Sequence, residues 1–195
     1  MNFLAHIYLS GENTEIMVGN FIGDFVKGRN LMEQFAPEIA KGIELHRTID
    51  EFTDHHPVVR ESKIRLRPKY RHYSAVIVDV FYDHYLSKYW SNYHKLPLID
   101  FSRNTYKTIE TFWDILPESV KYMLPHMIKG NWLLNYGRIE GIQQALSGMS
   151  RRARHVSKMD ESVAELKEYY DEFKSEFEVF FPELSDHAKQ FIRDN

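Results

Sequence analysis

Apolar residues recur every three or four positions along most of this chain, which is the spacing of an amphipathic α-helix. No stretch alternates apolar and polar residues for long, and no Asn-Gly or Asp-Gly pair marks a β-hairpin turn. The helical pattern is clearest near the end of the chain, where one face carries Val163, Leu166, Tyr170, Phe173 and Phe177. The pattern therefore predicts an all-α protein.

Prolines divide this pattern into separate helices. Pro37 suits the first position of a helix, and the prolines at 57, 68, 97, 117 and 182 are expected to open, close or interrupt others. The predicted helices span residues 2–9, 14–27, 37–54, 57–67, 69–92, 99–115, 117–135, 138–149, 159–181 and 185–193. Neither a repeat nor a long linker interrupts them, so residues 1–195 are predicted to form a single helical domain.

The composition narrows the class of protein. Hydrophobic residues make up 43% and charged residues 27% of the 195 positions, as in ordinary globular proteins. The absence of cysteine excludes disulfides, thiolate zinc sites, iron–sulfur clusters and a cysteine nucleophile, and it favours a cytoplasmic location. No segment has the roughly 20 apolar residues that span a bilayer, and the first residues do not form a signal peptide, so no membrane association is expected.

Charge is unevenly distributed along the chain. The formal net charge of −3 argues against general affinity for nucleic acid. Residues 60–71, however, contain six bases and one acid, and a second basic cluster consists of Arg151, Arg152 and Arg154. The stretch 60–71 is either a solvated helix face or a surface for an acidic partner.

Two titratable residues share an apolar face of the predicted helix 37–54. A helix turns about 100° per residue, which places Asp50 about 40° from His46. Ile39 and Ile43 fall in the same sector, which should face the core. Carboxylates are rarely buried unless they are paired or bind a metal.

The predicted helix 69–92 repeats this arrangement more strongly. Its central sequence, AVIVDVFYDHYL, is apolar nearly all round, which indicates a buried helix. Asp79 and Asp83 lie one turn apart on it, and two such charges repel each other unless something positive faces them. A divalent cation fits, because carboxylate and imidazole ligands suit zinc, manganese, iron and magnesium.

Each of these residues alone has an ordinary structural explanation, such as a buried Asp paired with Arg47. Taken together, His46, Asp50, Asp79 and Asp83 favour a functional site. Asp24, between two glycines, and His6, in the apolar segment FLAHIYL, are weaker candidates. The helical angle of His84 suggests that it orients a neighbour or faces a cleft. The histidines without partner spacing are expected to be structural or exposed: His55, His56, His126, His155 and His187.

Several longer motifs resemble the acyl carrier protein phosphodiesterase family. They are NFLAH at 2–6, GNFIGDFVKG at 19–28, GIELHRTIDEFTDHHP at 42–57, DVFYDHYLSKYW at 79–90 and NWLLNYGRIEGIQQALSGMSRR at 131–152. Their common order makes the resemblance specific, and it extends over most of the chain.

The resemblance implies an activity and a fold. The activity is hydrolysis of the phosphodiester that joins 4′-phosphopantetheine to a serine of acyl carrier protein, with a divalent metal, commonly manganese. The fold is all-helical and similar to that of HD-domain phosphohydrolases. That superfamily takes its name from a His-Asp dipeptide, which this chain lacks; Asp83-His84 has the reverse order.

A site hypothesis combines the resemblance with the helical angles. Its metal ligands are Asp24, His46, Asp50, Asp79 and Asp83. Arg47 or Lys27 is expected to neutralise charge on the phosphate oxygens, and His84 or His6 to protonate the leaving oxygen. Asp24 is thus expected to serve both the metal and the chemistry.

The implied partner is acyl carrier protein, which is acidic, so the basic stretch 60–71 is a possible docking surface. Two other functions remain open at this point. One is a metal phosphohydrolase that acts on small nucleotides. The other is a helical module that binds carrier proteins without catalysis, with its buried acids paired to Arg47 or Lys27.

Overall fold

The computed structural model describes all residues from Met1 to Asn195. It contains eleven α-helices, short 3-10 segments and no strand. The helices are α1 Phe3–Leu9, α2 Thr14–Ile22, α3 Pro37–His55, α4 Pro57–Tyr70, α5 Ser74–Lys88, α6 Leu98–Thr111, α7 Glu118–Lys129, α8 Trp132–Asn135, α9 Ile139–Arg152, α10 Val163–Glu168 and α11 Tyr170–Asp194. The all-α prediction is confirmed.

Left-handed or otherwise unusual backbone explains two differences from the predicted helices. Residue Arg71 has a φ of 53°, so α4 ends at Tyr70 and α5 begins only at Ser74. Asn131 has a φ of 40°, and it splits the predicted helix 117–135 into α7 and α8. Neither position is a glycine, so no strong signal in the sequence marks these breaks.

The prediction that a helix ends before Pro182 is wrong, because α11 continues through it. Pro182 is exposed, and water can hydrate the backbone carbonyl that loses its amide donor. Meanwhile Phe177, Phe181 and Leu184 stay buried on the other face of the helix. Their packing outweighs the lost hydrogen bond.

Helix α5 lies at the centre of the protein. Its apolar residues belong to one cluster of 47 buried hydrophobic residues. Rings of α11 pack edge-on against it, with centroid distances of 5.2 Å for Phe81–Phe173 and 5.7 Å for Tyr82–Phe177. The all-round apolar sequence of α5 is thus explained by neighbours on several sides.

Helices α2 and α3 pack with their backbones in contact. A Cβ on Gly19 would lie 2.1 Å from the carbonyl oxygen of Ile39, and a Cβ on Gly42 would lie 2.2 Å from that of Ile16. Only glycine fits at either position. This close approach brings the backbone of Asn20 alongside His46. None of the helices combines the length and the apolar character needed to cross a membrane.

Candidate functional site

Three side chains from α1 and α3 form a cluster that could hold a metal ion: His6, His46 and Asp50. Their potential ligand atoms all lie within 4.8 Å of one another. Asp50 lies between the histidines, with one carboxylate oxygen 3.2 Å from Nε2 of His46 and the other 3.3 Å from Nε2 of His6. The two imidazole rings stack at a centroid distance of 4.0 Å.

Asn20 orients both histidines from α2. Its side-chain oxygen lies 2.8 Å from Nδ1 of His6, and its backbone oxygen lies 2.8 Å from Nδ1 of His46. The side-chain amide nitrogen donates to the His6 carbonyl and the Ser10 hydroxyl, which fixes the orientation of the amide. Each Nδ1 therefore carries a proton and donates it to Asn20. In the neutral tautomer, each Nε2 then presents a lone pair to Asp50.

Both Nε2 atoms are buried and form no hydrogen bond. The nearby carboxylate oxygens are close enough for ion pairing but lie outside the alignment that a hydrogen bond requires. Unsatisfied buried nitrogens that share one carboxylate are the arrangement expected of ligands around a cation. The cluster thus fits a divalent cation with nitrogen and oxygen ligands.

The charges of the cluster are strongly coupled. Burial opposes protonation of His46, but Asp24 and Asp50 outweigh it and raise the pKa of His46 to about 9. Burial lowers the pKa of His6. Burial would raise the pKa of Asp50, but the two histidines and the N-terminal amino group hold it well below its usual range. Asp24 and Asp50 thus stabilise a positive charge at the position between them.

Asp24 and Asp79 flank this cluster without joining it. Asp24 lies in the 3-10 segment Gly23–Phe25, and its carboxylate reaches within 3.2 Å of Nε2 of His46. Asp79 extends from α5 and lies 3.1 Å from the amino nitrogen of Met1. That nitrogen is also 3.8 Å from Asp50. The structure therefore brings four of the five predicted ligands to one region.

The fifth predicted ligand, Asp83, lies elsewhere. It is completely buried, and its oxygens accept hydrogen bonds from the backbone N–H groups of Asn2, Leu4 and Ala5 at distances of 2.8 to 3.3 Å. Burial raises its pKa to about 7 despite these bonds. Asp83 thus closes the start of α1, where free N–H groups favour an acceptor.

His84 is also bonded at both ring nitrogens. Nδ1 lies 2.7 Å from the carbonyl oxygen of Tyr136 and therefore donates, while Nε2 accepts from the hydroxyl of Tyr170 at 2.9 Å. Burial lowers the pKa of His84 to about 4. The structure thus places it, neutral, in a network between α5 and α11, away from the cluster.

The predicted phosphate-binding cations lie outside the cavity described below. Arg47 donates from Nη2 to the carbonyl of Gly28 at 2.8 Å and so anchors the segment that follows Asp24. Lys27 is exposed on that same segment.

A cavity of about 880 Å³ opens beside the His6–His46–Asp50 cluster. Asp24, Asp50, Asp54 and Asp79 form its acidic side. Helices α7, α8 and α9 supply a second part of the lining, the α7–α9 wall, which consists of Ser119, Tyr122, Met123, His126, Trp132, Met149 and Arg152. A volume of this size matches the pockets that enclose small ligands.

Three of the six bases in the stretch 60–71 pair with neighbouring acids. Lys63 pairs with Asp54 at 2.7 Å. Arg65 pairs with Glu176 at 2.6 Å, and Lys69 reaches two glutamates before and within α10. These bases therefore connect α4 to α3, α10 and α11 and present less free charge than the sequence suggests.

Some site residues were missed or misassigned from the sequence. His6 was expected to act as a proton donor, yet it lies among the potential ligands. Asn20 was not singled out for any role, and Arg152 was noted only as a member of a basic cluster. Asn20 stands between two glycines in GNFIGD, a position that signals close backbone contact, and this was the available clue.

Comparison with known proteins gives a consistent assignment. A model of the acyl carrier protein phosphodiesterase family matches residues 1–184. Proteins named acyl carrier protein phosphodiesterase from Escherichia coli O6:H1 and from Enterobacter sp. strain 638 are each 32% identical to this chain, over 191 and 190 residues. The protein of that name from Escherichia coli strain K12 / DH10B is 33% identical over 194 residues. Each alignment covers 97% of this chain and 98% of the relative.

No solved structure matches the chain, so similarity to the HD-domain fold stays a prediction. The family match and the relatives cover nearly the whole length, and the family match includes His6, His46 and Asp50. The chain belongs to the acyl carrier protein phosphodiesterase family, whose members are named as phosphoric diester hydrolases.

Proposed function

We propose that this protein is a metal-dependent phosphodiesterase that releases 4′-phosphopantetheine from a serine of acyl carrier protein. The observation that carries the proposal is the pair of buried, unsatisfied Nε2 atoms that face Asp50. A protein with a purely structural cluster would satisfy these nitrogens with hydrogen bonds. The family assignment supplies the substrate.

His6, His46 and Asp50 are the proposed metal ligands, with Asp24 as a fourth and Asp79 as a neighbour able to join. Asp83 is not included, because its oxygens are already engaged by backbone N–H groups. Mixed nitrogen and oxygen ligands suit manganese, and they also suit zinc and iron. When bound, such an ion supplies positive charge for the phosphate and lowers the pKa of a coordinated water.

The protein residues hold this arrangement in place. Asn20 keeps both imidazoles in the tautomer that presents Nε2, and the α2–α3 contact fixes Asn20 itself. Asp79 and Asp24 lie at the edge of the cavity, where a carboxylate can accept a proton from water. In the net reaction, water oxygen bonds to phosphorus, the phosphorus–serine bond breaks, and the serine oxygen leaves with a proton.

The predicted proton donors do not fit this role. Both nitrogens of His84 are bonded at a distance from the cavity, and His6 is committed to Asn20 and Asp50. The leaving serine belongs to a protein surface and meets the open side of the cavity. We therefore assign its proton to solvent.

Incubation with holo acyl carrier protein and manganese tests the proposal. Mass spectrometry of the carrier protein should show loss of the phosphopantetheine mass, and excess chelator should prevent it. Asp50→Asn should prevent the loss even with manganese. Asp100→Asn, at a half-buried acid on α6 that pairs with Arg103 and lies outside the cavity, should not.

Two other outcomes would favour other functions. Hydrolysis of nucleoside phosphates with an unchanged carrier protein would favour the hypothesis of a metal phosphohydrolase that acts on small nucleotides. Binding of carrier protein without any mass loss, under several metals, would favour a non-catalytic module.

A further inference from the structure

The α7–α9 wall of the cavity differs in chemistry from the acidic side. Met123, Trp132 and Met149 present apolar surface from three different helices. Thioether and indole side chains accommodate flexible ligands, because methionine adapts its shape and the indole ring offers a wide flat face. No part of the proposed hydrolysis uses this wall.

Arg152 is the one Lys or Arg side chain that lines the cavity. It shares a face of α9 with Met149, which lies three residues before it. It takes part in none of the ion pairs of the structure, although four aspartates line the same cavity. An unpaired guanidinium in an acidic cavity is free to take an anion from outside.

Arg152 lines the same cavity as Asp50 of the His6–His46–Asp50 cluster and as Asp79. A ligand held by Arg152 therefore lies in the cavity into which this cluster opens.

We infer that the α7–α9 wall is the binding subsite for the substrate's arm, with Arg152 holding the phosphate and Met123, Trp132 and Met149 holding the carbon chain. The ligand class is a phosphate group on a flexible, uncharged arm of amides and methylenes. The inference rests on the proposed function for its substrate. It assigns to Arg152 the role that the sequence suggested for Arg47 or Lys27.

The charge balance supports this assignment. A phosphodiester carries a negative charge, and the acidic side of the cavity repels it. A planar guanidinium offers two parallel N–H donors to two phosphate oxygens and so fixes orientation as well as charge. Lysine at this position keeps the charge but loses the paired donors.

Kinetics with matched arginine variants test the inference. R152Q should lower kcat/KM for holo carrier protein by about 10²-fold, as expected for loss of a donor to the reacting phosphate. R152K should recover part of this loss. R151Q removes the same charge one residue earlier, outside the cavity, and should leave kcat/KM unchanged.

A substrate without the arm separates the two parts of the subsite. M149S should raise KM for holo carrier protein by about tenfold, the scale of losing apolar contacts to a ligand. Hydrolysis of bis(p-nitrophenyl) phosphate should not change in M149S, since this diester has no pantetheine arm. In R152Q, hydrolysis of both substrates should fall.

A binding measurement separates this inference from the proposed function. Free 4′-phosphopantetheine should quench the fluorescence of Trp132, with and without manganese. W132F should lose the signal, while calorimetry still detects binding.

If the chain hydrolyses no diester but still binds this probe, and R152Q weakens binding where R151Q does not, the subsite stands and the proposed function fails. If the chain is active but R152Q behaves like R151Q and Trp132 is not quenched, the subsite inference is overturned.

Discussion

Two pairs of acid and histidine in this protein look alike in sequence and differ in their hydrogen bonds. On α3, Nε2 of His46 is buried without a hydrogen bond, and the carboxylate of Asp50 lies beside it and lines the cavity. Asp83 and His84 on α5 have backbone or hydroxyl partners for the carboxylate and for both ring nitrogens. Completed hydrogen bonds make the second pair structural, whereas unmet bonding capacity prepares the first pair for a ligand.

The same contrast separates two acids on one helix. Asp79 and Asp83 are one turn apart on α5, yet only Asp79 lines the cavity. Asp83 accepts hydrogen bonds from backbone N–H groups at the start of α1, whereas Asp79 pairs with the amino group of Met1, which precedes that helix. Burial alone therefore does not identify a ligand, and the partners of each polar atom must be counted.

The largest expected effect comes from a change in the Asp50–His46 pair. Asp50→Asn removes the carboxylate that both histidines face, and it should lower phosphodiester hydrolysis by about 10³-fold or more. Bound manganese, measured by elemental analysis of purified protein, should fall in parallel. Asp83→Asn is the matched comparison and should retain the metal. Equal metal loss in both variants would contradict the distinction between the pairs.

A pH series with chelator should show the next largest effect. In the metal-free protein, the pKa of His46 is about 9 against an ordinary value of 6.5, so its protonation stabilises the fold. This stabilisation is complete below pH 6.5 and is lost as pH rises through 9. The loss approaches about 3 kcal/mol, since each pKa unit corresponds to about 1.4 kcal/mol. Urea unfolding at each pH measures it.

Metal should reverse this trend. An ion must displace the proton of His46, so metal affinity should rise with pH below 9. Because the ion binds the folded chain, the free energy of unfolding should rise with this affinity. His46→Gln should flatten the metal-free series. A His46→Gln series as steep as that of the unaltered chain would assign the pH effect to other groups.

The Asp83–His84 pair should contribute to the stability of the fold and not to metal binding. Asp83→Asn places a buried NH₂ group against the backbone donors of α1, which should lower the free energy of unfolding by about 2 kcal/mol. Urea unfolding at pH 8, above the Asp83 pKa of about 7, measures this change, and calorimetry with manganese should find an affinity close to that of the unaltered chain. A large loss of metal affinity at preserved stability would place Asp83 in the metal site after all.

The smallest effect is expected on α4, whose bases are mostly paired. Arg67 is exposed and has no acidic partner, so Arg67→Gln tests the remaining charge of this surface. KM for holo carrier protein should change less than about twofold at physiological salt, where exposed charges are screened. A rise in KM that disappears at high salt would restore residues 60–71 as a docking surface.

Helical periodicity predicted much of this fold and part of the site. It placed His46 and Asp50 on one inward face, and the structure joins them at 3.2 Å. It also marked α5 as buried. These inferences depend on spacing within one helix, which the sequence contains.

Contacts between helices were not predictable in the same way. His6 meets His46 only because α1 and α3 pack side by side, and Asp83 meets the start of α1 for the same reason. The continuation of α11 through Pro182 likewise depends on packing, which outweighs a local rule. Periodicity shows which residues face inward but not which groups they meet there.

The contact between Gly19 and Gly42 has a consequence for anyone who wishes to make this protein more heat-resistant. Replacing a glycine inside a helix by alanine is a common route to higher stability, because the unfolded chain loses freedom. At these two positions the added methyl groups would push α2 away from α3. Asn20 would then withdraw its carbonyl from His46. A thermostabilisation screen should therefore leave Gly19 and Gly42 unchanged, although both lie inside helices.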